Sequence, residues 1–131
     1  MTEQAESGSQ ANDGRLTEAW IEANVPDGFT MVAVGDLVVD DVLAPLLQSQ
    51  SPEMMAILKG ADITFGNFEG NAIDLEKFGG WPDADPGGSW LISSPRVPAD
   101  LRSMGFDLVA RANNHTTDWG VAGMRYTDRL L

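Results

Sequence analysis

Three short apolar runs, each ending in polar residues and each separated from the next by a helix-like pattern, constrain this chain more than any other feature. Val32-Ala33-Val34 leads into Gly35-Asp36, Ile63-Thr64-Phe65 leads into Gly66-Asn67-Phe68-Glu69, and Phe106 to Ala110 leads into Arg111-Ala112-Asn113-Asn114-His115. Runs this short, apolar on both faces and rich in β-branched and aromatic residues, suit strands covered on both sides. We expect strands over Phe29 to Val34, Ile63 to Phe68 and Phe106 to Ala110, the first broken by Gly35-Asp36.

The intervening segments carry helical spacing. Leu16, Ala19, Trp20 and Ala23 share one face of a short helix from Arg15 to Asn24, which Pro26-Asp27-Gly28 ends. Asp40-Asp41 is placed to cap a helix from Val42 to Gln48, with Pro45 tolerated in its first turn. Ser51-Pro52-Glu53 opens the next helix: a capping residue, then Pro at the first helical position, then an acid near the positive dipole end. Met54, Met55, Ile57 and Leu58 supply its apolar face, and Gly60 ends it. Val97 to Met104 reads as a fourth helix stopped by Gly105, and a last one begins near Gly120 and runs through Met124 and Leu130. Strand and helix in alternation imply an α/β fold with crossover connections.

Gly70 to Trp90 breaks the pattern, with Gly79-Gly80, Pro82, Pro86, Gly87-Gly88 and two tryptophans. Loops of this length are uncommon in compact domains and are often functional. Trp81 and Trp90 either line a substrate groove or cover a flank of the core.

At 131 residues the chain is at most one domain. Met1 to Gly14 is polar and aperiodic and reads as a disordered tail, leaving residues 15–131 as the domain. The acids outnumber the bases, 20 to 8, for a net charge of −12. That balance disfavours nucleic acid and anionic membrane surfaces, and suits cation binding or solubility. With no cysteine, disulfides and thiolate metal sites are excluded. No apolar run approaches the roughly 20 residues of a membrane span, and Met1-Thr2-Glu3-Gln4-Ala5-Glu6 lacks the basic and apolar regions of a signal peptide.

In open α/β sheets, ligands bind where the carboxyl ends of the strands meet. Here that edge would receive Asp36, Asn67, Glu69, Asn114 and His115, the last being the sole histidine. Oxygen and nitrogen donors without sulfur suit Mg, Mn, Fe or Zn. A pair of such metals lowers the pKa of a bound water and clamps a phosphoryl group. Taken singly, Asp36 also suits a cap or a turn, Asn67, Asn113 and Asn114 also suit turns, and a lone histidine is more often structural than a ligand.

The four blocks Ala33-Val34-Gly35-Asp36, Ala61 to Glu69, Gly105 to His115 and Asp118 to Met124 resemble the CapA-type capsule-synthesis proteins, the poly-γ-glutamate biosynthesis relatives of calcineurin-like metallophosphoesterases. The likeness covers roughly Phe29 to Leu131, and the Asn-Asn-His…Asp-x-Gly block is its specific part. It implies the N-terminal part of a layered α/β/β/α sandwich with a dinuclear divalent metal site (Mn, Fe, Zn or Mg). By motif, Asp36 is the first metal ligand, Glu69 the bridging carboxylate with Asn67 beside it, and Asn114 an amide ligand to the second metal. His115 is the group at the scissile side of the substrate, with Asp118 orienting it; Asn113 is structural. The superfamily's histidine two positions after the first Asp is Val38 here, as in capsule-type members.

The resemblance further implies a phosphoester or amide-linked glutamate polymer as substrate, polyglutamate synthase subunits as partners, and association with the membrane or cell surface. The other reading is a non-catalytic subunit of polyglutamate synthesis or export that keeps the fold without the chemistry. The family's remaining histidine motifs would lie in a C-terminal half, so the domain is expected to be truncated, with an unpaired sheet edge or an apolar patch exposed.

Overall fold

The computed structural model describes residues 24–83 and 89–131. The expected tail over residues 1–14 and most of the expected helix from Arg15 to Asn24 lie outside the described residues.

The chain alternates strand and helix. Strand β1 (Met31–Asp36) is followed by helices α1 (Ala44–Gln50) and α2 (Pro52–Gly60), then strand β2 (Ile63–Asn67). Two short strands follow, β3 (Asn71–Ala72) and β4 (Ile92–Ser93), then helix α3 (Val97–Ser103), strand β5 (Leu108–Ala110) and helix α4 (Gly120–Asp128). Strands β1, β2 and β5 form one parallel sheet in that order, and β3 pairs with β4 in a second, also parallel. The fold is therefore mixed α/β with crossover connections, as the alternation of patterns implies.

One face of the three-stranded sheet packs on the helices. Val32, Val34 and Val109 lie against a core of Met55, Leu58, Phe68, Ala72, Val97, Leu101, Met104 and Phe106. Gly66 makes the close packing possible: a Cβ there would stand 2.7 Å from the Leu37 side chain and 3.1 Å from the Phe106 ring. Gly105, which ends the α3 region, has a φ of +102° that a side chain rarely adopts. The other face differs. Met31, Ala33 and Leu108 are exposed there, and Ile63 and Phe65 are half-buried.

Several local expectations shift. Strand β1 runs two residues further than its apolar run, so Gly35-Asp36 belongs to the strand rather than breaking it. Ser51 precedes α2, as expected, but its side chain makes no capping bond. Nor do Asp40 and Asp41 cap α1 as expected. Leu43 occupies the N-cap position, and the carboxylate of Asp100, from α3, accepts from the backbone N–H of Leu43 (2.7 Å) and Ala44 (3.0 Å). The cap is thus long-range, and it ties α1 to α3.

Pairing of β3 with β4 closes the long glycine-rich segment at its base. Trp81 is 71% exposed and Trp90 43%, so neither buries itself over the core.

Candidate functional site

The three strands of the larger sheet end at one level, and a bulge sets which residue of β1 arrives there. Ala33 pairs with Phe65, which in regular register would place Gly35 opposite Asn67. The register shifts between Ala33 and Asp36, so Asp36 faces Asn67 instead. An inserted residue re-aims the strand end, and here it delivers a carboxylate where glycine would offer nothing. Asn67 in turn pairs with Ala110 of β5. The backbone bonds Leu37 N–H to Asn67 O (2.7 Å) and Phe68 N–H to Ala110 O (3.0 Å) carry the alignment one residue further.

The side chains form a connected network. The Asn67 amide donates from Nδ2 to Asp36 Oδ1 at 2.8 Å, and also to Glu69 Oε2. Its own oxygen accepts from Asn113 Nδ2 at 2.9 Å. Asn113 Nδ2 also donates to the Phe68 carbonyl at 3.0 Å, while Asn113 Oδ1 accepts from the His115 backbone N–H (3.1 Å) and the Thr116 hydroxyl (2.9 Å). Asp36 is exposed, Asn67 and Asn113 are half-buried, and Glu69 is buried. Asn114 stands exposed on the same turn.

His115 is held at three points. Its ring Nδ1 lies 2.7 Å from Asp118 Oδ2, its backbone N–H donates to Asn113, and its carbonyl accepts from Asn71 Nδ2 at 2.8 Å. Asp118 is 4% exposed, and the same Oδ2 accepts the Leu91 backbone N–H at 2.8 Å. A carboxylate only accepts, so Nδ1 carries a hydrogen. The Asp118 carbonyl accepts from Asp83 N–H (2.9 Å), and its N–H donates to His115 O (3.2 Å).

Arg111 secures the segment that carries Glu69. Its guanidinium lies 5.5 Å from the centre of the Phe68 ring and donates to the carbonyls of Phe68 (3.4 Å) and Gly70 and to Asn71 Oδ1 (3.3 Å). Asp128 of α4 meets it at 3.4 Å. Burial pushes the Arg111 pKa down, and Asp128 opposes that shift.

The structure thus joins Asp36, Asn67 and Glu69 directly, connects them through Asn113 to His115, and sets Asp118 behind the imidazole. Asn67 turns its nitrogen, not its oxygen, to the two carboxylates. Three contributors carry no distinguishing signal in the sequence: Asn113, expected as structural only, and Asn71 and Leu91, not singled out at all. Their partners lie 44 and 27 residues away for Asn71 and Leu91, and no short-range pattern encodes such contacts. Among the described residues, no group of three or more His, Cys, Asp or Glu side chains is arranged to hold a metal.

Comparison with known proteins decides the family. Residues 30–131 match the bacterial capsule synthesis protein family PGA_cap. The chain belongs to that family. The matched range takes in every strand and helix described above, and with them the whole network from Asp36 to Asp118. Two proteins of Sinorhizobium fredii (strain NBRC 101917 / NGR234), the uncharacterized proteins y4sH and y4uA, are each 47% identical to this capsule-synthesis family member over 124 residues. The alignment covers 94% of this chain and 27% of each relative, so the chain spans about a quarter of their length. Among the described residues, no helix is long and apolar enough to cross a membrane.

Proposed function

We propose that this chain contributes part of a metal-dependent hydrolase centre to a capsule-synthesis protein. The observation that carries the reading is the continuous set of contacts from Asp118 through His115 and Asn113 to Asn67, Asp36 and Glu69. Two carboxylates brought onto one amide are chemically suited to a hard divalent cation, which takes anionic and neutral oxygen donors. Asp36 and Glu69 would hold the cation, with the Asn114 amide as a further donor; Asn67 would join through its oxygen only after its amide turns. When bound, the cation supplies a water of lowered pKa and a Lewis acid for a phosphoester or for the amide bond of a glutamate polymer.

The chain's own contribution is proton handling. In this reading the His115 Nε2 would accept or donate a proton at the substrate, with Asp118 fixing the ring through Nδ1. A second metal, as a dinuclear centre requires, would need ligands beyond this set. The full protein's substrate and any polyglutamate synthase partner belong to this same proposal.

The second reading is a non-catalytic subunit of polyglutamate synthesis or export that keeps the fold without the chemistry and needs no metal at Asp36 and Glu69. Elemental analysis of the purified chain, after dialysis against Mn²⁺ and a metal-free rinse, separates the two. The hydrolase reading expects near-stoichiometric metal in the native chain and none in the Asp36→Ala/Glu69→Ala double variant. Equal, trace metal in both would overturn the assignment of Asp36 and Glu69 as cation ligands in this chain.

A further inference from the structure

The orientation of one amide decides what the two carboxylates meet. In an Asn side chain the oxygen and nitrogen ends are told apart by their hydrogen-bond partners. For Asn113 both ends are set by backbone groups whose roles are fixed. The His115 N–H can only donate, so it faces Asn113 Oδ1, and the Phe68 carbonyl can only accept, so it faces Asn113 Nδ2. That nitrogen also reaches Asn67, which must therefore present Oδ1 to it. The Asn67 nitrogen is left pointing at Asp36 and Glu69, which as carboxylates can only accept. The two ends of the relay agree, and reversing either amide would set donor against donor or oxygen against oxygen.

We propose that Asn113 is a positioning residue that locks the Asn67 amide with its nitrogen between Asp36 and Glu69, so that the cation-free protein carries an internal donor where a cation would otherwise join the two carboxylates. The lock itself stands on the hydrogen bonds alone; its consequence for cation entry rests on the metal reading above. Two carboxylates side by side repel each other, and a shared donor offsets that repulsion without a metal. A cation would displace the N–H groups, and the turned amide would then set its nitrogen against the Asn113 nitrogen. Cation binding thus works against the lock. The backbone N–H of His115 sets the lock, so the turn that carries the histidine also governs access to the carboxylates.

Nitrogen-15 NMR of the 131-residue chain, stripped of divalent cations, tests the relay. The side-chain protons of Asn67, assigned by their loss in Asn67→Ser, are expected to exchange with solvent about tenfold more slowly than those of exposed Asn114, the factor for roughly one net hydrogen bond. In Asn113→Ala the amide is free to turn, so that protection should fall toward the Asn114 level without reaching it, because Asp36 and Glu69 remain as acceptors, while the backbone spectrum stays that of a folded chain. Titration with Mg²⁺ gives a readout that a purely structural role would not move. The charge-neutral Asn113→Ala variant should bind Mg²⁺ about tenfold more tightly than the native chain, because no lock has to be broken.

Fast Asn67 exchange in the native chain, or Mg²⁺ affinity unchanged or weakened in Asn113→Ala, would overturn the proposal. If the variant fails to fold, exchange in the native chain decides alone. If Mg²⁺ moves no resonance in either protein while the protection pattern holds, the lock stands and the metal reading falls.

Discussion

The two faces of the three-stranded sheet are both apolar, yet they live in different surroundings. On one, Val32, Val34 and Val109 pack against a core in which Met55 and Leu58 of α2 and Leu101 of α3 are almost fully buried. On the other, Met31 is 55% and Leu108 54% exposed beside half-buried Ile63 and Phe65. Parallel strands ordinarily read as continuous apolar runs because both of their faces are covered. The run composition here therefore describes a sheet made for two layers, and the described residues bury one of its faces far more completely than the other. Sequence pattern reports which face can be buried, whereas burial itself depends on which elements are present to do it.

If the contrast is real in energy as well as area, the covered face should dominate stability. Phe68 is fully buried at the end of β2, with the Arg111 guanidinium over its ring. Replacing it with Ala should cost about 3–5 kcal/mol, the usual loss for a buried aromatic. Urea denaturation of the 131-residue chain measures this directly. A loss under about 1.5 kcal/mol would mean that the covered face is loosely packed, and the contrast between the faces would collapse.

The exposed face gives the opposite expectation. Met31→Thr and Leu108→Thr keep strand propensity while removing apolar surface, and each should change stability by no more than about 0.5 kcal/mol in the same assay. A loss of 2 kcal/mol at either site would show that the face is covered in solution, for example by a second copy, and sedimentation would then find a dimer.

The same contrast explains how far the sequence could be read. Strand and helix alternation follows from local periodicity, so the parallel α/β architecture and all three main strands were legible. So was the meeting of Asp36, Asn67 and Glu69, because the carboxyl ends of parallel strands share an edge. What escaped depends on distant partners. The bulge that puts Asp36 rather than Gly35 opposite Asn67 is a property of two strands together. Asp100 serves α1 from 57 and 56 residues away in place of the local Asp40 and Asp41. Strands β3 and β4 are two residues each and come from the two ends of a glycine-rich segment, so neither shows a period of its own. Asn113 looked like a turn residue because its role lies in a hydrogen-bond geometry that its neighbours in sequence do not reveal.

The smallest expected effect comes from the end of the sheet opposite the candidate site, where neither face matters. Asp62, just before β2, accepts the backbone N–H (2.8 Å) and the hydroxyl (2.9 Å) of Thr30, just before β1. These bonds favour the charged carboxylate and pull its pKa below the ordinary 3.8. A carboxyl whose pKa is depressed on folding contributes stability at pH values above its unfolded pKa, and the contribution disappears as pH falls through the folded value. The native chain should therefore lose part of its stability between about pH 4 and the lower folded pKa, beyond what Asp62→Asn loses over the same range. Because the pair is fully exposed, the difference should be small and should shrink further in added salt. Thermal melts of both proteins from pH 6 downward measure it. If the two curves stay parallel through the acid range, the Thr30 clasp does not distinguish the charged carboxylate from the neutral one, and the start of β1 is held to β2 by its ladder bonds alone.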